Sequence, residues 1–134
     1  MKTIQRLGIG TAIAFVMSIA AHADILGTWT ANNNGFTGTI VVSSWDGVNI
    51  AGTAFGNPIK GFYNTTTNKV RFWRAVGVSG SGTASTAATA DKIQIYTGYL
   101  FGCGNSQCMA GTFESFAGTQ ATALKPDYGW YAWK

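Results

Sequence analysis

A chain of 134 residues is one domain's worth of sequence, and with 46% apolar and only 10% charged residues it is composed to bury a core. Nine basic residues against five acidic give a formal net charge of +4. No basic cluster occurs beyond Lys69, Arg71 and Arg74, which argues against nucleic acid as a partner.

The first 23 residues read as an export leader. Lys2 and Arg6 form a basic start, Leu7 to Ala21 an apolar run, and Ala21-His22-Ala23 a small-residue cleavage site. The apolar run falls short of the roughly 20 residues that cross a bilayer and contains Gly, Ser and Thr, so removal is expected rather than anchoring and no membrane span remains. A periplasmic or secreted protein follows, with residues 24–134 as a single domain. Taking 23 from 134 leaves 111 residues, and losing Lys2 and Arg6 leaves seven basic against five acidic side chains, a net charge of +2. His22, the only histidine, leaves with the leader and takes with it any histidine-based triad or metal site. The carboxylates Asp24, Asp46, Asp91, Glu114 and Asp127 are not spaced as an acid/base pair. The expectation is a protein that is not an enzyme and needs no cofactor or metal.

Along the mature chain, Asp24 to Thr30 reads as a strand and Ala31 to Gly35 as its turn, with Gly35 supplying positive φ. Phe36 to Ser44 is a second strand, with Ile40 and Val42 on one face. Trp45-Asp46-Gly47 signals a tight hairpin in which Asp-Gly suits a type I′ turn. Val48 to Phe55 is the third strand, and Gly56-Asn57-Pro58 turns it into the fourth, with proline at the strand's start where no ladder donor is needed. Ile59 to Arg74 is a hairpin whose polar turn is bracketed by Asn64 and Asn68, because Asn tolerates left-handed geometry and bonds its own main chain. Val76 to Ala90 lacks large side chains and reads as a long loop, either a linker or a lid. Asp91 to Phe101 alternates again, with Ile93, Ile95, Thr97, Tyr99 and Phe101 on one face. Met109 to Ala117 is the seventh strand; Lys125-Pro126-Asp127 breaks the chain before the last, Tyr128 to Trp133.

No stretch after the leader keeps a 3.6-residue apolar period. The expected fold class is therefore all-β, a single antiparallel up-and-down β-barrel of about eight strands, because closure removes the exposed edges of a meander. Gly27, Gly38, Gly52, Gly61, Gly98 and Gly111 fall mid-strand, where a missing Cβ lets the sheet bend. A two-sheet sandwich shares the same strand signals. An outer-membrane barrel fits less well, because its strands need about 9 to 11 residues and Lys69, Arg71, Gln94 and Glu114 interrupt the faces taken as outward.

Cys103 and Cys108 are the only cysteines of an exported chain and flank a four-residue loop, so a disulfide is expected between them. Two thiolates without histidine make half a zinc site at best.

With the strands placed, the chain resembles the avidin and streptavidin family of biotin-binding barrels over Ile25 to Phe116. Leu26-Gly27-Thr28-Trp29 is similar to the Gly-x-Trp opening of the family's first strand, and Ile50-Ala51-Gly52-Thr53 to its third. Gly61-Phe62-Tyr63-Asn64 and Val70-Arg71-Phe72-Trp73-Arg74 resemble its fourth and fifth. The resemblance implies Trp73 and Phe113 as aromatic walls of a ligand pocket. It implies orienting roles for Asn32, Thr37 and Asn57, of which Asn32 lies one place off the family's first-strand asparagine. That asparagine's own position holds Ala31, and the third-strand tyrosine and the following serine fall on Ala54 and Gly56, so the polar partners of biotin are largely replaced.

The functional expectation is a small cyclic ligand, of biotin type at first trial but weakly or differently bound, at the barrel's open end. Homo-oligomer formation through outward aromatics is expected beside it. The alternative is a carbohydrate- or protein-binding surface formed on the last strand by Tyr128, Trp130, Tyr131 and Trp133, of which Tyr131 and Trp133 share one face while Trp130 and Ala132 share the other.

Overall fold

The computed structural model describes residues 24–76, 92–117 and 128–134. The leader, the loop expected over Val76 to Ala90 apart from its first residue, and the Lys125-Pro126-Asp127 break lie outside the described residues; Val76 itself is a buried strand residue rather than loop.

Eight antiparallel strands run in chain order: β1 (Gly27–Asn33), β2 (Phe36–Trp45), β3 (Asn49–Ala54), β4 (Asn57–Asn64), β5 (Lys69–Val76), β6 (Lys92–Cys103), β7 (Ser106–Ala117) and β8 (Tyr128–Trp133). Each bonds to the next and β8 bonds back to β1, from Thr30 opposite Trp133 to Asn33 opposite Trp130, so the sheet is a closed barrel. Closure leaves no free edge and rules out the sandwich. Among the described residues there is no helix long and apolar enough to cross a membrane.

Turn chemistry sets where the strands end. The β1–β2 hairpin turns on Asn34 and Gly35, both at positive φ (48° and 90°), as a two-residue loop requires. β1 is thus longer than the sequence implied: Ala31, Asn32 and Asn33 belong to the strand rather than the turn. The β2–β3 connection also departs from expectation. Only Gly47 has positive φ there, and the Asp46 carboxylate accepts from the Val48 and Asn49 amides at 3.0 and 2.7 Å, an Asx-capped loop in place of a type I′ turn. Hydrogen bonds from Asn49 hold that exposed carboxyl below its ordinary pKa. The β4–β5 hairpin follows expectation, with Asn64 Oδ1 accepting from the Thr66 and Thr67 amides at 3.0 Å each and Asn68 at φ 53°.

Alternation places one residue in two inside. The core comprises Trp29, Ala31, Ile40, Val42, Ile50, Ala54, Ile59, Tyr63, Val70, Phe72, Tyr96, Leu100, Met109, Phe113, Trp130 and Ala132. On β6 the inner face is Gln94, Tyr96, Gly98 and Leu100, and the more apolar-looking Ile93 to Phe101 set faces out. Gln94, expected on an outward face, is buried. Charged Lys60, Arg71 and Glu114 stand outside an apolar interior, the reverse of an outer-membrane barrel's lipid-facing band.

Gly98 and Gly111 face each other across β6 and β7, and they illustrate why strand glycines are needed. A Cβ on Gly98 would sit 2.5 Å from the Ala110 carbonyl oxygen and 2.7 Å from Trp130 Cζ2, so its absence lets the indole lie against the wall.

The end of the barrel near Trp29 is stoppered. Trp29 Nε1 donates to the Ile25 carbonyl at 3.0 Å, and the Lys134 ammonium lies 4.5 Å from the Trp29 ring centroid. Lys134 Nζ also donates to the carbonyls of Asp24 and Leu26. Cys103 and Cys108 form the expected disulfide, with Cα atoms 5.8 Å apart, spanning the β6–β7 hairpin. Such a bond points to an oxidising compartment.

Candidate functional site: the open mouth of the barrel

Inside β5 to β8 the rings of Phe72, Tyr96, Phe113 and Tyr128 form a ladder, each on the strand next to the last. Centroid separations are 4.7, 5.0 and 5.2 Å and the planes are within 29° of one another. Trp130 meets Phe72 and Tyr96 edge-on, both at 5.7 Å, and its Nε1 donates to the Thr112 carbonyl at 3.1 Å. The ladder ends at the mouth, where Phe113 and Tyr128 line a cavity of about 540 Å³. That volume suits a small molecule.

Above the ladder lies a polar layer. Asn33 Nδ2 donates to the Tyr96 hydroxyl at 2.6 Å, which donates in turn to Gln94 Oε1 at 3.0 Å. Arg74 Nε donates to the same Gln94 oxygen at 2.7 Å and its Nη1 to the Ala54 carbonyl at 3.2 Å. Burial pushes the Tyr96 hydroxyl up to about 12, against the opposing pull of Arg74 and Asn33. Burial also lowers the Arg74 guanidinium from its ordinary value, with Tyr96 opposing.

Two acceptors in this layer have no partner. Asn33 is 6% and Asn57 3% exposed, and the Oδ1 of each is buried and unbonded. Asn57 Nδ2 is engaged, donating to the Phe55 carbonyl at 3.1 Å. Phe55 itself is held at φ 51° beside Gly56 at 78°, an unusual backbone for a bulky residue. Its ring sits where a Cβ on Gly38 would come within 2.5 Å, and the Arg74 guanidinium carbon lies 5.0 Å from its centroid.

The residues singled out from the sequence divide between inside and outside. Phe113 and Asn57 line the cavity, and Thr37 lies on its exposed rim. Trp73 does not: Phe72 and Arg74 turn inward on either side of it. Trp73 is therefore outside, in a shallow groove with Lys60, Phe62, Arg71 and Ile95. A ligand clamped between Trp73 and Phe113 is geometrically excluded, because the two rings are on opposite faces of the wall. Asn32 likewise falls between inward Ala31 and Asn33, and its Oδ1 accepts from the Gly35 amide at 2.9 Å. Asn33, Phe55, Arg74, Gln94, Tyr96 and Tyr128 were missed. The signal for Asn33 was present, since alternation from Trp29 through Ala31 leads to it.

On the opposite side of the wall Tyr131 and Trp133 are exposed and stack at 5.4 Å. Tyr99 and Phe101, also exposed, lie on β6, across β7 from them.

Fold and mouth together define a closed eight-stranded barrel with one stoppered end and one end that, among the described residues, is open and polar-lined. No protein-family model, curated protein or solved structure matches the chain.

Proposed function

We propose that this protein is an exported, non-enzymatic barrel, periplasmic or secreted, that holds one small, cyclic, partly apolar ligand in its mouth. The observation that carries the proposal is the pair of unbonded, buried amide oxygens on Asn33 and Asn57 beside an aromatic-walled cavity. A buried polar group left unpaired costs about 1–3 kcal/mol, and a ligand N–H or O–H removes that cost on binding. Phe113 is stacked between Tyr96 and Tyr128, so the apolar surface left to a ring is what this end of the ladder turns to the cavity, each Å² of which contributes about 25 cal/mol when covered.

A relationship to the avidin family is part of the proposal, supported by the Leu26-Gly27-Thr28-Trp29 opening and by a meander that closes on eight strands. Ala31, Ala54 and Gly56 offer nothing to a biotin ureido group at the family's positions. Asn33 stands two residues beyond Ala31 on the same inward face, so the polar partners are displaced toward the mouth. Biotin is the first ligand to try, and its binding is weak or altered in position.

A second reading is favoured by the exposed Tyr99, Phe101, Tyr131 and Trp133 on the outer wall: self-association, or capture of another protein, through that face. The stacking of Tyr131 on Trp133 disfavours a sugar platform, because the rings cover each other rather than lying side by side.

Titration with biotin and a library of small rings, followed by tryptophan fluorescence and calorimetry, tests the mouth. Binding should be lost in Phe113→Ala and kept in Trp73→Ala, which alters only the outer wall. If no ring binds, and light scattering shows a dimer broken by Trp133→Ser, the outer-face reading replaces the mouth.

A further inference from the structure

Arg74 is a half-buried cation whose described partners are all neutral: the Gln94 amide, the Ala54 carbonyl and the Phe55 ring. These two hydrogen bonds occupy two of the five N–H groups of a guanidinium. Lys92 stands on the next inward position toward the rim of β6 and lines the same cavity. Among the described residues no acidic side chain lines the mouth. Glu114 is on the outer wall opposite Ile95, Asp46 is in the β2–β3 loop, and Asp24 lies by Lys134 at the stoppered end. Asp91 and Asp127 lie outside the described residues, and among the described ones Arg74 is a cation withdrawn from water with no carboxylate as counter-charge.

We infer that the ligand is a small organic anion whose acidic group seats on Arg74 with Lys92 above it, and whose N–H or O–H donors meet Asn33 Oδ1 and Asn57 Oδ1. The inference rests on the mouth being a ligand site and adds the ligand's chemical class and orientation. An arginine fork suits a carboxylate because two parallel N–H groups match its two oxygens. Phe55 supports the fork from one side. Its left-handed backbone, with that of Gly56, belongs to the two-residue β3–β4 hairpin loop, and its ring occupies the space a side chain on Gly38 would fill. The two amide oxygens repel a bare anion, so simple inorganic anions are disfavoured and an acid that also carries donors is selected.

The test compares charged ligands with neutral isosteres by calorimetry at low and high salt: indole-3-acetate against indole-3-acetamide, and biotin against biotin amide. For at least one pair the acid should bind about tenfold tighter than its amide at low salt, with the gap narrowing as salt rises. Arg74→Gln should abolish the gap by weakening the acid about tenfold more than the amide. Lys92→Gln, an exposed rim substitution that spares the polar layer, should halve the gap or more, and near-ultraviolet circular dichroism checks that both variants keep the native aromatic packing. Equal binding of acid and amide overturns the anion inference and leaves the ligand site standing. Failure of all four probes to bind overturns both.

Discussion

Replacing Asn57 by leucine separates a residue kept for stability from one kept for a ligand. In the folded chain its Oδ1 is buried without a partner while its Nδ2 makes one bond to the Phe55 carbonyl. Leucine keeps the branch at Cγ and removes both polar atoms. Losing the bond costs about 0.5–1.5 kcal/mol, and losing the orphan acceptor returns about 1–3 kcal/mol. The Phe55 carbonyl belongs to a half-exposed turn residue, where water can replace the amide. The net expectation is a stability unchanged or raised by up to about 2 kcal/mol, with ligand affinity falling about tenfold or more. Urea unfolding followed by tryptophan fluorescence reads the first quantity as a midpoint shift at constant m-value. A loss of more than about 1 kcal/mol would mean that Asn57 is there to hold the Phe55 turn, and would remove one of the two acceptors on which the ligand site rests.

Three further outcomes follow from the same geometry. Tyr96, with its hydroxyl pushed up to about 12, stays protonated in the folded state while an unfolded tyrosine releases its proton near pH 10. Its contribution is therefore complete below about pH 10 and is lost as pH rises toward 12, at about 1.4 kcal/mol per unit; urea midpoints at pH 9 and 11 should fall more in the wild type than in Tyr96→Phe, where Tyr63, also raised by burial, still contributes. Converting Cys103 and Cys108 together to alanine opens a loop of sequence separation 5 and should cost about 2 kcal/mol by chain entropy, with the far-ultraviolet spectrum unchanged; complete unfolding of the variant would contradict this. Lys134→Met removes an ammonium over the Trp29 ring and its bonds to Asp24 and Leu26, and should cost about 1–2 kcal/mol in urea unfolding while ligand binding at the other end is unaltered.

The strand order and closure were legible because their signals are local. Asn64 and Asn68 mark one turn, Gly35 another, and glycines such as Gly98 and Gly111 mark positions where a wall must bend. The inside of the barrel was less legible, for a reason visible in β6. Alternation separates Ile93, Ile95, Thr97, Tyr99 and Phe101 from Gln94, Tyr96, Gly98 and Leu100. Hydrophobicity alone then assigns the first set to the interior, whereas the structure buries the second. A polar residue can face inward when neighbours on other strands complete its hydrogen bonds, and Gln94 is completed by Arg74 and Tyr96, one on another strand. Such partnerships depend on register across the closed sheet, which no single strand displays. Trp73 went astray by another route: the avidin resemblance implied it as a pocket wall, whereas Phe72 and Arg74 on either side of it turn inward.

Of the four buried side-chain atoms left unbonded among the described residues, Asn33 Oδ1 and Asn57 Oδ1 lie at the mouth, and Trp45 Nε1 and Gln107 Oε1 lie elsewhere. At the stoppered end the Trp29 indole nitrogen has its carbonyl, the Lys134 ammonium has two carbonyls and an aromatic face, and the cluster from Ile25 to Ala132 closes around them. At the open end a phenylalanine is held in left-handed backbone, a guanidinium is half-buried among neutral partners, and two amide oxygens are out of water with no donor. Each of these is destabilising by an amount comparable to a single typical mutation, about 1–3 kcal/mol. They lie on β1, the β3–β4 turn, β4 and β5, so no single local irregularity in the chain accounts for all of them. Their convergence on one cavity supports the proposed ligand site, since groups arranged for a ligand's atoms are mismatched without them.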